Sequence, residues 1–158
     1  MPPDFAGWYE AMHGRLVRVL CALGPDADAA SDAADEAFAR ALLHWRRVRC
    51  MDSPDGWAYR VALNELRRTL RRQALERRLL ARLPVPGPVP EPSVAAVGGL
   101  LAGLPPRQRT AVALRYVADL PEAEIAAAMG ITRGTVASTL ADACRALAAS
   151  LHLEAADV

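Results

Sequence analysis

One segment of the chain combines aromatic, amide and guanidinium side chains in a spacing that suits binding to unpaired nucleic acid. Arg60, Arg67 and Arg71 recur every four to seven residues, with Trp57 and Asn64 among them. Such spacing places them on one broad face of a helix. Guanidinium groups contact phosphates, an indole ring stacks on an unpaired base, and an amide can hydrogen-bond a base edge. The alternative is a solvated arginine face with Trp57 partly buried in a core.

A second segment, Leu120–Leu140, has the pattern of a helix-turn-helix. Gly130 stands where the chain must turn, because glycine adopts the left-handed conformation at low cost. Thr132 can cap the second helix, in which Val136 and Leu140 lie four residues apart on one buried face. The second helix of such a motif normally enters the DNA major groove. A plain pair of packed helices is the alternative.

Charge is distributed unevenly along the chain, although the net charge is only +1. Residues 1–36 carry seven carboxylates against two arginines, whereas residues 60–82 carry eight arginines against two glutamates. All 19 basic residues are arginine. This asymmetry indicates two partners of opposite charge, and mutual neutralisation of solvated faces is the alternative.

The residue types favour binding over catalysis. The chain holds no usable Ser/His/Asp, Cys/His or paired-carboxylate constellation and no glycine-rich phosphate loop, and its three histidines lack metal-ligand spacing. We therefore expect no catalytic residue, no metal and no cofactor. No run approaches the roughly 18 apolar residues of a membrane span, and the N-terminus lacks a secretory signal pattern. We expect a cytoplasmic protein without membrane insertion.

The three cysteines are odd in number and widely spaced, which predicts no disulfide framework. Cys21 and Cys144 fall among apolar helical residues, so we expect both in a core. Cys50 lies in a loop flanked by arginines.

The elements that position these residues are predicted to be helices in two small domains. Alanine and leucine dominate the composition, which favours helix, and no alternating strand pattern occurs. Five prolines in the nine residues 84–92 exclude a helix there. We expect a first domain over residues 1–82, a Pro-rich linker over 83–93 and a helix-turn-helix domain over 94–153. The predicted helices span about 4–23, 28–46, 53–81, 93–102 and 107–118, followed by the helix-turn-helix.

Three stretches together resemble bacterial RNA polymerase sigma factors. Residues 28–38, DAASDAADEAF, resemble the motif D-A-E-D-x-x-Q-E-x-F by which these factors bind core polymerase. Residues 54–64, PDGWAYRVALN, with the arginine run that follows, resemble their promoter-melting segment. Residues 104–116 and the helix-turn-helix resemble their C-terminal promoter-binding domain. The order and size are similar to the extracytoplasmic-function subfamily, and the arginine-only, alanine-rich composition is similar to its actinobacterial members.

The resemblance implies separate roles for the two domains. The first would dock on the β′ clamp of core RNA polymerase through Asp32, Asp35, Glu36 and Phe38. It would also hold the unpaired strand of the −10 element through Arg46, Arg47, Arg49, Trp57, Arg60, Asn64, Arg67, Arg68, Arg71 and Arg72. The second would rest on the β flap and read the −35 element through Arg107, Arg115, Thr132, Arg133, Thr135 and Ser138. An anti-sigma factor is a further partner that the resemblance allows.

Two departures from the family pattern affect these expectations. The glutamine of the core-binding motif is replaced by Asp35. Three positions of the recognition helix that are typically basic in the family are Ala137, Thr139 and Asp142 here. Because each missing phosphate contact weakens binding and lowers its salt dependence, we expect weak binding to the −35 element.

The leading interpretation is a transcription initiation factor that directs core polymerase to specific promoters, melts the −10 element and recognises the −35 element. A sigma-like DNA-binding regulator that does not itself initiate transcription is the second, and the cation-poor recognition helix suggests it. Binding to core polymerase distinguishes the two. A helical scaffold whose charge asymmetry drives homo-oligomerisation is a further alternative.

Overall fold

Helices are the regular secondary structure throughout the part of the chain that the structure describes. The computed structural model describes residues 4–24, 26–80, 99 and 101–156, with side chains up to Ser150. The first unit contains α1 (Phe5–Leu23), α2 (Ala27–Leu43), α3 (Trp45–Val48) and α4 (Pro54–Leu80). The second contains α5 (Pro106–Val112), a π-helical turn (Ala113–Val117), α6 (Glu122–Met129) and α7 (Arg133–Ala156). The all-α class is confirmed, and the predicted linker over 83–93 lies outside the described residues.

Small side chains on α2 let the long helices of the first unit pack closely. One face of α2 consists of alanines, and five of them are at most 1% exposed: Ala30, Ala33, Ala34, Ala37 and Ala41. A one-carbon side chain lets neighbouring helix axes approach and leaves room for larger partners. Those partners are Trp8, Met12, Leu16 and Leu20 of α1 and Tyr59, Leu63 and Leu66 of α4, all buried.

Polar side chains define where the helices of the first unit begin. Asp4 accepts a hydrogen bond from the amide of Gly7 at the start of α1, and Asp26 accepts two at the start of α2. The Ser53 hydroxyl accepts from the amide of Gly56, 2.9 Å away, so the cap predicted at Ser53–Pro54 forms. Each cap satisfies amides that have no partner within their helix.

The helix expected over 28–46 is divided in the structure. It ends at Leu43, and α3 begins after His44. The break turns Trp45 back onto α1, where its ring centroid lies 5.5 Å from that of Phe5 and 5.1 Å from that of Trp8. Val48 is fully buried on the same short helix. Burial of these two apolar side chains accounts for the break.

The second unit packs α5, α6 and α7 around a smaller core. Leu114, Ile125 and Val136 are fully buried. Gly130 has φ 65°, which confirms the left-handed turn predicted between α6 and α7. The helix expected over 107–118 changes to a π-helical turn from Ala113, a local widening that is rare outside special positions.

The cysteines are free, and one expectation about them was wrong. Cys144 is exposed rather than buried in a core, and its sulfur lies 3.8 Å from the Tyr116 hydroxyl oxygen. Cys21 is half-buried, and Cys50 is exposed. Among the described residues, no helix has both the length and the apolarity to cross a membrane.

Candidate polymerase and promoter interface

A long exposed face of α4 carries a row of arginines. Arg60, Arg67 and Arg71 share that face with Asn64, and all four are exposed. The Asn64 amide oxygen accepts a hydrogen bond from Arg67, 3.4 Å away. Trp57 lies at the start of the row, partly buried against the core. The structure therefore brings together the side chains that the sequence analysis proposed for an unpaired strand.

Two further arginines of α4 make weak ion pairs within the helix. Arg68 lies 3.0 Å from Glu65, and Arg72 lies 3.8 Å from Glu76. Both arginines are largely exposed, so water screens these pairs and leaves the guanidinium groups available. Partial burial, with a smaller contribution from the neighbouring Arg71, lowers the pKa of Arg67. Arginine stays protonated at neutral pH, so the face is strongly positive.

The arginines at 46, 47 and 49 lie on or directly after α3, and all three are exposed. Buried Val48 between them fixes the short helix against the core. The N–H of Arg49 donates to the carbonyl of Trp45 at 2.9 Å, which continues the turn. The basic groups are thus carried by a folded element.

The acidic face of α2 is exposed in part and paired in part. Asp32 and Asp35 are exposed, and Asp35 lies 3.6 Å from the imidazole of His13. Glu36 pairs with Arg40 at 2.6 Å, and Arg40 reaches Glu65 of α4 at 3.4 Å. Intramolecular neutralisation therefore accounts for Glu36 but leaves Asp32 without an ion pair among the described residues.

Phe38 does not lie on this exposed acidic face, where the sequence expectation had grouped it with the carboxylates. Its side chain is 3% exposed, and its ring centroid lies 5.3 Å from that of Trp8 and 4.9 Å from that of Tyr9. Phe38 therefore supports α2 from the core and is not exposed to a partner in this structure. The aromatic residue of the motif is explained by packing.

The start of the recognition helix α7 is rich in hydroxyl groups. Thr132, Arg133 and Ser138 are exposed, and Thr135 is half-buried. The Thr132 hydroxyl accepts from the amide of Thr135 at 3.2 Å, which confirms Thr132 as the predicted cap. Ser138 donates to the carbonyl of Thr135 at 3.1 Å. Arg133 makes no ion pair among the described residues, whereas Arg145 further along α7 is paired with Asp142.

The two remaining arginines expected at the −35 element have different surroundings. Arg107 is exposed near the start of α5. Arg115 is half-buried and donates to the carbonyl of Leu120 at 2.9 Å. Arg115 therefore fixes the turn before α6. In the described part of the chain, no cluster of three or more His, Cys, Asp or Glu residues could hold a metal ion.

Comparison with known proteins assigns both units. Residues 8–76 match the model of sigma-70 region 2, and residues 95–147 match that of sigma-70 region 4. The RNA polymerase sigma-E factor of Streptomyces coelicolor is 30% identical over 142 residues, which cover 87% of this chain and 80% of the relative. The chain belongs to the sigma-70 family of RNA polymerase sigma factors. Its subfamily is the extracytoplasmic-function one, and it directs promoter-specific transcription initiation.

Further relatives agree with this membership. The sigma-E factor of Streptomyces antibioticus is 32% identical over 129 residues, covering 79% of this chain and 72% of the relative. The sigma factor RpoE from Bartonella quintana, in complex with the anti-sigma factor NepR, has a TM-score of 0.74 at 18% identity, covering 96% of this chain and 98% of that chain. CnrH in complex with the cytosolic domain of CnrY has a TM-score of 0.68 at 22% identity, covering 94% and 88%. The two solved structures show the same fold.

A set of contacts joins the two domains of this sigma factor, and no pattern in the sequence predicted them. A guanidinium nitrogen of Arg15 on α1 donates to the carbonyl of Ala118 at 2.8 Å. The Ser53 hydroxyl, which caps α4, also donates to the carboxylate of Glu124 on α6. Gly56 of α4 lies directly against α6. Gly56 in the first turn of α4 was the one signal that the sequence offered. A glycine alone does not show which helix packs against it.

Proposed function

We propose that the arginine face of α4 holds the melted strand of the −10 element during initiation. The observation that carries this proposal is the row of exposed guanidinium groups beside Asn64, with Trp57 at its start. Phosphates of an unpaired strand are bound by such a row, and an aromatic ring offers a stacking surface for an extruded base. Arg46, Arg47 and Arg49 extend the positive surface on α3.

The exposed carboxylates of α2 are the proposed contact with the β′ clamp of core polymerase. Asp32 and Asp35 are the most accessible of the set, and Glu36 becomes available once its exposed pair with Arg40 exchanges for a partner arginine. Exposed ion pairs contribute little to stability, so this exchange costs little. Phe38 has no part in this contact.

The second domain is proposed to read the −35 element while resting on the β flap. Arg107 would bind phosphate, and Arg133 with the exposed hydroxyls of Thr132 and Ser138 faces outward from the start of α7. Arg115 and Thr135 would hold neighbouring residues in position rather than contact the DNA themselves. With few free cations, this contact is weak by itself, and the polymerase strengthens it by holding both domains on one promoter.

We also propose a regulatory partner and a cellular location for this chain, both by analogy with the family. The solved neighbours include a sigma factor bound to an anti-sigma factor, and we extend such a partner to this chain. Catalysis belongs to the polymerase, and no residue here is assigned a catalytic role or a cofactor. Because promoter DNA and polymerase are its proposed partners, we propose that the protein acts in the cytoplasm.

The arginine proposal is tested by replacing Arg67, Arg68, Arg71 and Arg72 together with alanine. Open-complex formation, read as permanganate reactivity of unpaired thymines, is expected to fall at least about tenfold, and the salt slope of single-strand binding to flatten by about 3. Thermal unfolding should be unchanged, because exposed arginines contribute little to stability and alanine favours helix.

The matched control replaces Arg77 and Arg78, two exposed arginines nearer the end of the same helix, and should retain open complexes. Unfolding of the fourfold variant would show that the arginines are structural. Full open-complex formation by a folded fourfold variant would remove α4 from the −10 contact.

A further inference from the structure

Two exposed leucines continue the arginine row of α4 toward the end of the helix. Leu75 is 57% exposed, and Leu79 is 53% exposed. Residues four apart on a helix lie next to each other on its surface, so their side chains form one apolar patch. We call Leu75 and Leu79 the leucine patch.

The leucine patch lies on the same side of α4 as the arginine row. At about 100° per residue, Trp57, Asn64 and Arg71 share a sector of about 80° with both leucines. Tyr59 and Leu66, which are buried in the core, lie on the opposite side. The patch therefore faces away from the core of its own domain and extends the proposed DNA surface.

Apolar side chains are a departure from the rest of this outward face. From Asn64 to Arg72, α4 exposes one amide and four guanidinium groups. Isolated exposed leucines are ordinary on protein surfaces, whereas adjacent leucines that extend a charged surface are candidates for a contact. The change from arginine to leucine indicates a different kind of contact at the end of the row.

The surroundings of the leucine patch favour DNA over a second copy of this chain. Arg71 and Arg72 precede it on the exposed surface, so two such faces would repel each other. Two leucines also bury far less than the roughly 1,200 Å² of a stable protein interface. Phosphates, in contrast, attract the arginines, and leucine is among the side chains that proteins place against base steps.

We propose that the leucine patch packs against the last base pair of the duplex, at the edge of the melted −10 strand that faces the −35 element. The inference rests on the proposed function, because the patch extends the row that would hold the melted strand. A base pair at such an edge has lost one stacking neighbour, and an apolar side chain covers its exposed face. The chain continues from this end of α4 to the domain proposed for the −35 element, which determines the edge.

The length of the row agrees with this placement. Leu75 follows Trp57 by 18 residues, which is about 27 Å along a helix. At the spacing of about 3.4 Å per nucleotide in a stacked strand, this length holds about eight nucleotides. Trp57 and the leucine patch would therefore lie at the two ends of the held strand.

The test is the double variant Leu75→Ala/Leu79→Ala in the full-length chain with core polymerase, and Leu80→Ala is the matched control. Leu80 is 61% exposed on the same helix, about 100° around the axis from Leu79. The fork probe is a duplex with the −35 element that ends in a single-stranded −10 arm of about eight nucleotides. Its sequence comes from a promoter identified by run-off transcription.

The double alanine variant should bind the fork about five- to tenfold more weakly than the wild type, because it loses the apolar contact. It should bind the single-stranded −10 arm alone as tightly as the wild type. L80A should match the wild type on both probes. Leu75→Met/Leu79→Met keeps apolar side chains of similar size and should restore fork binding.

Salt dependence separates the leucine patch from the arginine row. An apolar contact releases no counterions, so the double alanine variant should keep the wild-type salt slope on the fork. A changed slope would mean that the substitution acts through the arginines and would overturn the proposal. Equal fork binding by the folded variant and the wild type would also overturn it, as would equal weakening on both probes.

Other occupants of the leucine patch give distinct results. Weaker binding to core polymerase would make the patch a polymerase contact, and a wild-type dimer that the variant dissociates would make it a contact between copies. A lower melting temperature of the double alanine variant alone would mean that the leucines are covered within the protein. Each of these outcomes would overturn the DNA contact. A wild-type complex that does not bind the single-stranded arm would instead refute the proposed function.

Discussion

Tyr59 is a buried side chain of α4 whose hydroxyl group and ring contribute differently to stability. The side chain is fully buried, and its hydroxyl has no hydrogen-bond partner among the described residues. Burial raises the pKa of Tyr59 to about 12, although the nearby Arg15 acts in the opposite direction. An unpartnered buried hydroxyl has lost its hydration without a replacement. The ring therefore stabilises the core, and the oxygen does not.

Tyr59→Phe should consequently leave the protein as stable as the wild type or about 1 kcal/mol more stable, since it removes the unpartnered oxygen and keeps the ring. Urea unfolding followed by circular dichroism measures the difference. A loss of more than about 1 kcal/mol would mean that the hydroxyl has a partner after all.

Asp26 joins two helices and makes them sensitive to acid. Its carboxylate caps α2 and accepts a hydrogen bond from the Gln73 amide of α4 at 2.8 Å. The bond from Gln73 is the largest cause that lowers the pKa of Asp26, followed by the backbone amide of Ala29. A lowered folded-state pKa means that the contribution to stability is present above the unfolded value of about 3.9 and is lost as pH falls through the folded value.

Asp26→Asn should reduce this acid sensitivity. Asparagine caps helices about as well as aspartate and still offers an oxygen to Gln73, but it does not titrate. The wild type should therefore exceed the variant in melting temperature at pH 7, and this advantage should shrink as pH falls below the unfolded value of about 3.9. Thermal melts from pH 7 down through the acid range measure it. An advantage that does not change with pH would contradict the role of the ionised carboxylate.

At the scale of elements, the recognition helix α7 has unusually few free cations. Arg145 is paired with Asp142, which leaves Arg133 as the cation at the start of the helix. At this position Asp142 would both hold Arg145 in an ion pair and repel the DNA phosphates. If the −35 contact is weak, as the sequence predicts, the Arg145–Asp142 pair gives it a structural cause that one substitution tests.

Asp142→Asn should strengthen binding to a duplex that contains only the −35 element by a few-fold and steepen the salt slope by about 1, because it releases Arg145 toward phosphate. Fluorescence anisotropy of the full chain across salt concentrations gives both quantities. Asp119→Asn, an exposed change outside α7, is the control. Equal affinity and slope for D142N and wild type would mean that Arg145 does not approach the DNA.

The elements differ in how far the sequence determines them. The turn between α6 and α7 was predictable because Gly130 and Thr132 act locally, one through φ and the other through its cap. The division of α2 from α3 was not, because the reason is packing of Trp45 on a distant helix. Burial of Phe38 could not be predicted for a similar reason. A family motif marks the residue as important but does not tell whether its side chain packs in the core or contacts a partner.

At the scale of the whole molecule, two kinds of charge distribution coexist. Arg40 of the acidic α2 pairs with Glu36 on its own helix and with Glu65 on the basic α4, while the outer carboxylates of α2 and most of the arginine row of α4 stay exposed. The contact between domains joins residues 71 positions apart, Ser53 and Glu124. Pairings across such a distance leave no periodic signal, so the sequence predicted two domains but not how they meet.

We propose that this chain initiates transcription by binding core polymerase and opening promoters with the α4 surface. Run-off transcription with purified protein, core polymerase and a fragment library from the source genome tests it most directly. We predict specific transcripts that appear only when the protein is added and that vanish with the fourfold arginine variant. Core binding without any specific transcript would contradict the account and favour a sigma-like regulator that does not initiate.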